Sequence, residues 1–160
     1  ILWYSPDPRM VITPDKFHLS KSLRKITHSS RFEVRIDTAF EDVITHCRSV
    51  IRPGQAGTWI DDAMVQAYCD LNEAGYAHSY EVYENDKLVG GLYGVALGGV
   101  FFGESMFSLV SNASKVAFAY LLQNSHFRLI DCQVENKHLQ NLGAFRLPRD
   151  LFIQQLKAFV

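Results

Sequence analysis

Apolar residues recur every three or four positions in five segments of the chain, the spacing of helices that bury one face. The first segment is predicted to form a short helix over 20–27, capped by Ser20. The other predicted helices cover residues 38–49, residues 61–75, a segment that begins at Asn112, and residues 149–160.

Alternation of apolar and polar residues, together with one short apolar run, predicts β-strands in between. These strands cover residues 32–36, 78–84, 88–95, 100–106 and 128–134. Asn85-Asp86 and Gly98-Gly99 separate consecutive strands and favour tight hairpin turns. By contrast, residues 3–19 and 52–57 are predicted to be loops, because proline interrupts both segments.

The order of these elements predicts one α+β domain over residues 1–160. Helices come first, an antiparallel meander of strands follows, and a helix, a strand and a last helix complete the chain. This order favours a mixed, largely antiparallel sheet that is flanked by helices.

Composition excludes a disordered chain and a membrane-spanning one. Hydrophobic residues make up 48% of the sequence and aromatic residues 12%, enough to build a sizeable core. The most apolar stretch, residues 90–103, contains six glycines and is shorter than the roughly 20 residues of a bilayer helix. The chain begins with Ile1 rather than Met, and we interpret it as a fragment or a processed chain.

Cysteine and histidine spacing argues against disulfides and metal sites. Cys47, Cys69 and Cys132 lie far apart, which favours a reducing, cytoplasmic compartment. The six histidines show no close ligand spacing, so no dedicated metal site is expected.

Charge is distributed unevenly. Residues 1–35 carry seven basic and three acidic side chains, a net charge of +4, whereas the remaining 125 residues carry −5. This basic segment predicts a polyanionic partner that docks at one end, although a solvated helix face has the same composition. The candidate contacts are Arg9, Lys21, Arg24, Lys25 and Arg31.

Asp131 follows Leu129 and Ile130 in a predicted buried strand, where a carboxylate is costly unless it is paired or used. Alternation puts Gln133 on the same face, and Glu104 lies in a neighbouring glycine-rich strand. The three side chains therefore predict a polar site between strands. A structural acid, satisfied by backbone amides, is the alternative.

Several motifs occur in a characteristic order along nearly the whole chain. They are Trp3-Tyr-Ser-Pro-Asp-Pro-Arg9, Gly57-Thr-Trp-Ile60, Ala77-His-Ser79, Leu88-Val-Gly-Gly-Leu-Tyr-Gly-Val95, Gly103-Glu-Ser-Met-Phe-Ser108, Asn112-Ala-Ser-Lys115, Asp131-Cys-Gln133 and Leu142-Gly-Ala144. In these motifs the chain resembles the catalytic domain of the bacterial leucyl/phenylalanyl-tRNA–protein transferases.

The resemblance implies an N-acetyltransferase-like (GNAT) fold and a cytoplasmic enzyme without metal or cofactor. It implies transfer of Leu, Phe or Met from aminoacyl-tRNA to proteins that begin with Arg or Lys, which marks them for degradation by the N-end rule. It also implies that the family's small N-terminal domain and short C-terminal tail lie outside this chain.

For this reaction we expect Asp131 to act at the reaction centre, as general base or as anchor for the cationic acceptor, with Gln133 holding it. Glu104 and Asn136 are expected to line the same cleft and to bind the acceptor. The implied aminoacyl pocket consists of Trp59, Leu92, Phe101, Met106, Val116, Phe118, Leu121 and Ile130.

Two alternatives remain at the level of sequence. An acetyl-CoA-dependent acetyltransferase needs a glycine-rich phosphate loop before a helix, but residues 108–111 contain no glycine. A non-catalytic module that binds tRNA or peptide would not require Asp131 together with Gln133.

Overall fold

A computed structural model of the chain describes residues 5–50 and 58–160, in which seven strands form one mixed sheet. The strands are β1 (Arg9–Ile12), β2 (Glu33–Ile36), β3 (Ala77–Glu84), β4 (Lys87–Leu97), β5 (Val100–Ser108), β6 (Leu129–Gln133) and β7 (Phe145–Leu147). Their order in the sheet is β2-β3-β4-β5-β6-β1-β7. Only the β5–β6 pairing is parallel among these strands.

Six α-helices accompany the sheet in the described residues. They are α1 (Lys21–Thr27), α2 (Phe40–Ser49), α3 (Asp62–Glu73), α4 (Ala113–Asn124), α5 (Lys137–Gln140) and α6 (Arg149–Phe159). α4 connects the two parallel strands and packs on β3, β4 and β5, with α1 against it. The predicted α+β class with a mixed, largely antiparallel sheet is therefore confirmed.

The core divides between the two faces of the sheet. Leu92 belongs to the cluster under α1 and α4, whereas its neighbour Tyr93 belongs to the cluster under α2 and α3. A third cluster lies under α6, where Phe152 packs near Val11 and Leu129. None of the described helices is long and apolar enough to cross a bilayer.

Turn and cap residues act as the sequence predicts. Asn85 and Asp86 both have positive φ, 51° and 59°, as a two-residue hairpin turn requires. Ser20 accepts a hydrogen bond from the Leu23 backbone N–H, and Asp61 accepts one from Met64. A side chain at Gly98 would bring its Cβ within 2.3 Å of the Phe159 carbonyl oxygen, so the β4–β5 turn needs glycine there.

The prediction of one extended loop over residues 3–19 is wrong. β1 forms within it, a 3₁₀ turn follows over Pro14–Lys16, and Met10, Val11 and Ile12 are buried. The short elements β7 and α5 were also not predicted. The predicted loop over 52–57 lies outside the described residues.

Candidate active site

A cavity opens where β5 and β6 separate. Their parallel pairing covers Val100–Phe102 and Leu129–Asp131, and beyond it a cavity of about 470 Å³ lies between the two strands. Its lining is Trp59, Leu92, Tyr93, Phe101, Gly103, Glu104, Ser105, Met106, Phe118, Leu121, Ile130, Asp131, Cys132, Gln133, Val134, Asn136, His138 and Leu139. The chamber therefore joins an apolar part to a polar one, as small-molecule sites do.

A β-bulge directs Glu104 to this cavity. Gly94 faces Gly103 and Tyr93 faces Ser105, which leaves Glu104 as the extra residue in β5. Burial raises the pKa of Glu104, while hydrogen bonds from the Gln133 amide and the Tyr68 hydroxyl act in the opposite direction. Glu104 is thus a partly desolvated acid beside the cavity.

Gln133 bridges the gap between the two strands. Its backbone has a left-handed φ of 64°, which ends β6. Its Nε2 donates hydrogen bonds to the Gly103 carbonyl oxygen at 2.8 Å and to Glu104 Oε2 at 3.3 Å. These two bonds occupy the amide hydrogens. The Oε1 atom can then accept a hydrogen bond from a donor group of the substrate.

Asp131 is fully buried, and its carboxylate already has a cationic partner. Arg9 donates from Nε and from a terminal nitrogen, the shortest distance being 2.7 Å, and the Gln133 backbone N–H donates to Oδ1 at 2.8 Å. The alternative, a buried acid satisfied by backbone amides, is therefore correct for the Gln133 N–H, but the other donors belong to the Arg9 side chain. Asp131 lines the cavity as an ion-paired group, not as an isolated anion.

Arg9 was predicted to contact tRNA phosphates, and the structure gives it another partner. Its side chain is only 15% exposed, and the guanidinium lies against Asp131 and over the Phe152 ring. The physical reason is that β1 lies between β6 and β7, so that Arg9 faces the buried acid.

Most of the predicted aminoacyl pocket comes together. Seven of the eight residues line the cavity, but Val116 lies elsewhere, in a second cavity of about 330 Å³ that Phe32 and Tyr120 also line. Two helical positions span about 200°, so Val116 and Phe118 leave α4 on nearly opposite sides. Trp59 and Val134 line the large cavity with strongly exposed side chains.

The polar end contains residues that the sequence predicted and others that it did not. Asn136 lines the cavity as expected and caps α5 by accepting a hydrogen bond from the His138 backbone N–H at 2.8 Å. His138, which lines this end, and Tyr68, which does not line the cavity but hydrogen-bonds Glu104, were missed. A histidine in a polar segment and a tyrosine in an apolar helix stripe look ordinary in sequence. Cys132 packs against the core under α1 and α4, and burial raises its pKa to about 12.

The remaining predicted basic contacts lie on and just beyond α1. Lys21, Arg24 and Lys25 are exposed on this helix. Arg31 pairs with Glu84 at 2.6 Å and lies over the Phe32 ring. Over residues 5–50 and 58–160, no three His, Cys, Asp or Glu side chains are grouped as a metal ion would need.

Two solved structures are similar to this chain in fold. A GCN5-related N-acetyltransferase from Kribbella flavida is 10% identical, with a TM-score of 0.52 over 89% of this chain and 55% of its own. A conserved protein of unknown function from Staphylococcus epidermidis is 12% identical, with a TM-score of 0.53 over 88% and 57%. The predicted N-acetyltransferase-like fold is confirmed.

Sequence comparison is more specific. The profile described as leucyl/phenylalanyl-tRNA protein transferase matches residues 11–157. Relatives named leucyl/phenylalanyl-tRNA–protein transferase include those of Myxococcus xanthus, 56% identical, and Dechloromonas aromatica, 53% identical, each over 98% of this chain and 68% of its own length. The Flavobacterium johnsoniae relative is 50% identical over 99% of this chain and 76% of its own length. The chain therefore belongs to the leucyl/phenylalanyl-tRNA–protein transferase family.

Proposed function

We propose that the chain transfers leucine or phenylalanine from aminoacyl-tRNA to the α-amine of proteins that begin with Arg or Lys. Such proteins are thereby marked for degradation by the N-end rule, in the cytoplasm. The observation that carries the proposal is one cavity that combines an apolar part, lined by Leu92, Phe101 and Ile130 among others, with a polar end that contains Glu104, Gln133 and Asn136.

The apolar part receives the amino-acid side chain. Leu92 of β4, Phe101 and Met106 of β5 and Ile130 of β6 form its walls on the sheet side, and α4 supplies the remainder. An apolar pocket distinguishes ligands that differ by one methylene by only about 1–3 kcal/mol. The flexible Met106 side chain can repack, which suits acceptance of Leu, Phe and Met.

Glu104 binds the cationic side chain of the acceptor. The bulge brings its carboxylate to the cavity, and partial burial strengthens its attraction to a guanidinium or ammonium group. Asn136 lines the same end and can donate a hydrogen bond to the acceptor backbone. A neutral acceptor side chain would leave Glu104 without this partner.

Asp131 acts through Gln133. Both carboxylate oxygens accept hydrogen bonds from Arg9 or Gln133, so taking a proton there would weaken the buried ion pair. By holding the Gln133 backbone, Asp131 keeps the Gln133 amide against Gly103 and Glu104. Gln133 Oε1 then accepts a hydrogen bond from the attacking amine and aligns it.

The tRNA docks on the cationic face of α1. Lys21, Arg24 and Lys25 are exposed there. Contacts with phosphates give affinity without reading base sequence, which suits an enzyme that accepts several tRNAs. The aminoacyl ester is already activated, so orientation of the ester and the amine supplies most of the catalysis.

The test is a transfer assay with labelled leucyl-tRNA and a peptide that begins with Arg. The whole Myxococcus xanthus relative is the positive control, and the same peptide with a blocked α-amine is the negative one. Transfer of label supports the proposal. Binding of leucyl-tRNA without transfer would favour a non-catalytic module, and acetylation of the peptide from acetyl-CoA would favour the acetyltransferase alternative.

A further inference from the structure

We propose that His138 is the proton acceptor for the α-ammonium group of the acceptor. This inference rests on the proposed transfer reaction and adds a catalytic residue to it. An α-amine has a pKa of about 7.7–8.0, so most of it carries a proton at neutral pH and cannot attack the ester. The site therefore needs a group that removes this proton.

The backbone after β6 brings His138 to the polar end of the cavity. The left-handed turn at Gln133 ends the strand, and Asn136 then caps the short helix α5. His138 lines the cavity together with Gln133 and Asn136, the residues proposed to align the amine and bind the acceptor. His138 thus borders the end of the cavity where the amine must arrive.

The carboxylates at this end have other partners. Asp131 is held by Arg9 and by the Gln133 backbone. Glu104 accepts hydrogen bonds from Gln133 and Tyr68 and, as proposed above, faces the cation of the acceptor. The Cys132 thiol keeps its proton at neutral pH, because burial raises its pKa to about 12, so it cannot take a proton from the amine.

The surroundings keep the imidazole in its neutral form. Burial and the Lys115 ammonium group on α4 lower the pKa of His138 from its usual 6.5. Glu104 and Asp131 also line the cavity, from β5 and β6, but each is bound as described. A neutral imidazole has a lone pair available to accept a proton.

The proton transfers balance. The imidazole takes one proton from the ammonium group, and the amine lone pair attacks the ester carbonyl carbon. The bond from that carbon to the ribose oxygen breaks, and the oxygen takes the proton from the imidazolium. The new amide nitrogen passes its surplus proton to the imidazole and then to water, so one proton is released overall.

The first experiment measures transfer by His138→Ala over a range of leucyl-tRNA concentrations, with the acceptor peptide saturating. General-base removal predicts a fall in kcat on the order of 100-fold, with an unchanged KM for leucyl-tRNA. Added imidazole should restore part of the rate, which it would not do for a residue that only supports α5. The matched control is His126→Ala, which replaces an exposed histidine that does not line the cavity. This variant should keep the kcat of the unsubstituted chain, and added imidazole should not change its rate.

A second variant and a direct titration complete the test. Lys115→Met should raise the pKa of His138 and move the acid limb of the pH–rate profile to higher pH. By NMR, a peptide that begins with Arg should shift the His138 ring signal, and its N-acetylated form should not. The role of His138 would be overturned by an unchanged kcat in His138→Ala. It would also be overturned if neither peptide shifted the NMR signal of the His138 ring. Absence of transfer by the unsubstituted chain would instead overturn the proposed function.

Discussion

The two fully buried carboxylates of the sheet, Asp131 and Glu81, are satisfied in opposite ways. Glu81 on β3 accepts hydrogen bonds from neutral groups, the Ser79 hydroxyl and the Thr38 hydroxyl and backbone N–H. Asp131 on β6 is paired with the Arg9 guanidinium, from a residue 122 positions away. Burial by itself therefore does not mark a functional acid.

The difference follows from what each acid connects. The Glu81 network joins β3 to the start of α2, and burial raises the pKa of its carboxyl. Such a network works with a neutral or a charged acid. The Asp131 pair needs both charges, and it ties β1 to the turn that shapes the cavity. The acid with a cationic partner is the one that borders the site.

The largest expected effect breaks the ion pair from the Arg9 side. Arg9→Met leaves a buried carboxylate without its cation, and we expect a loss of about 3–5 kcal/mol in the free energy of unfolding. Urea denaturation measures it. Arg35→Met removes a solvent-exposed partner of Glu33 and, as the control, should lower the free energy of unfolding far less than Arg9→Met does. Equal losses in the two variants would contradict the comparison.

The next effect concerns catalysis. Asp131→Asn keeps the size of the side chain but weakens its hold on Arg9 and Gln133, and misplacement of Gln133 should lower kcat on the order of 100-fold. Steady-state kinetics should show this fall with little change in the KM for the acceptor and with the shape of the pH–rate profile preserved. A rise in acceptor KM alone would assign Asp131 the role of an anchor for the acceptor.

Glu104 extends the comparison of Asp131 and Glu81 to a third acid, one that is partly exposed and lines the cavity. Glu104→Gln should raise the KM for a peptide that begins with Arg about tenfold, since a charged hydrogen bond is worth about 1.5 kcal/mol or more. A peptide that begins with citrulline, the neutral analogue of Arg, should bind both proteins equally. An equal change for the two peptides would show that Glu104 does not bind the cation.

The same carboxylate predicts a pH dependence. Because burial raises the pKa of Glu104 above 4.5, its charge is lost at a higher pH than that of an ordinary glutamate. The KM for the Arg peptide should therefore rise as the pH falls through this raised pKa. The citrulline peptide, which carries no side-chain charge, should not show this increase.

The smallest expected effect concerns Glu81. Its raised pKa means that ionisation costs stability as the pH rises, about 1.4 kcal/mol for each pKa unit. Glu81→Gln avoids this cost, so we expect its stability relative to the unsubstituted chain to increase between pH 4 and pH 7. Urea midpoints at the two pH values measure it, with the exposed Glu73→Gln as control. A difference that does not change with pH would contradict the neutral network.

Local signals predicted the centre of the fold, but not its edge. The meander of β3, β4 and β5 follows from alternation and from the turn residues Asn85 and Gly98. β1 and β7 have only four and three residues, and each pairs with a strand distant in sequence. Pairing over such distances leaves no periodic pattern in a short segment.

The candidate site shows the same limit. Residues within one motif, such as Asp131 and Gln133, were placed together from the sequence. The partner of Asp131 was assigned to tRNA instead, since a lone arginine in a Pro-rich segment gives no sign of burial. Val116 was misplaced because pocket membership depends on the rotation of α4, and both sides of that helix are apolar.

The position of β1 has a consequence for synthesis on the ribosome. This strand is made before its partners in the sheet, β6 and β7, which follow more than a hundred residues later. Until then the Asp131 carboxylate that pairs with Arg9 has not been made, and neither has the turn at Gln133. A product that stops before residue 129 therefore contains β1 to β5 and Glu104 but lacks Asp131, Gln133 and Asn136, so the polar end of the cavity is complete only after residue 136 has been added.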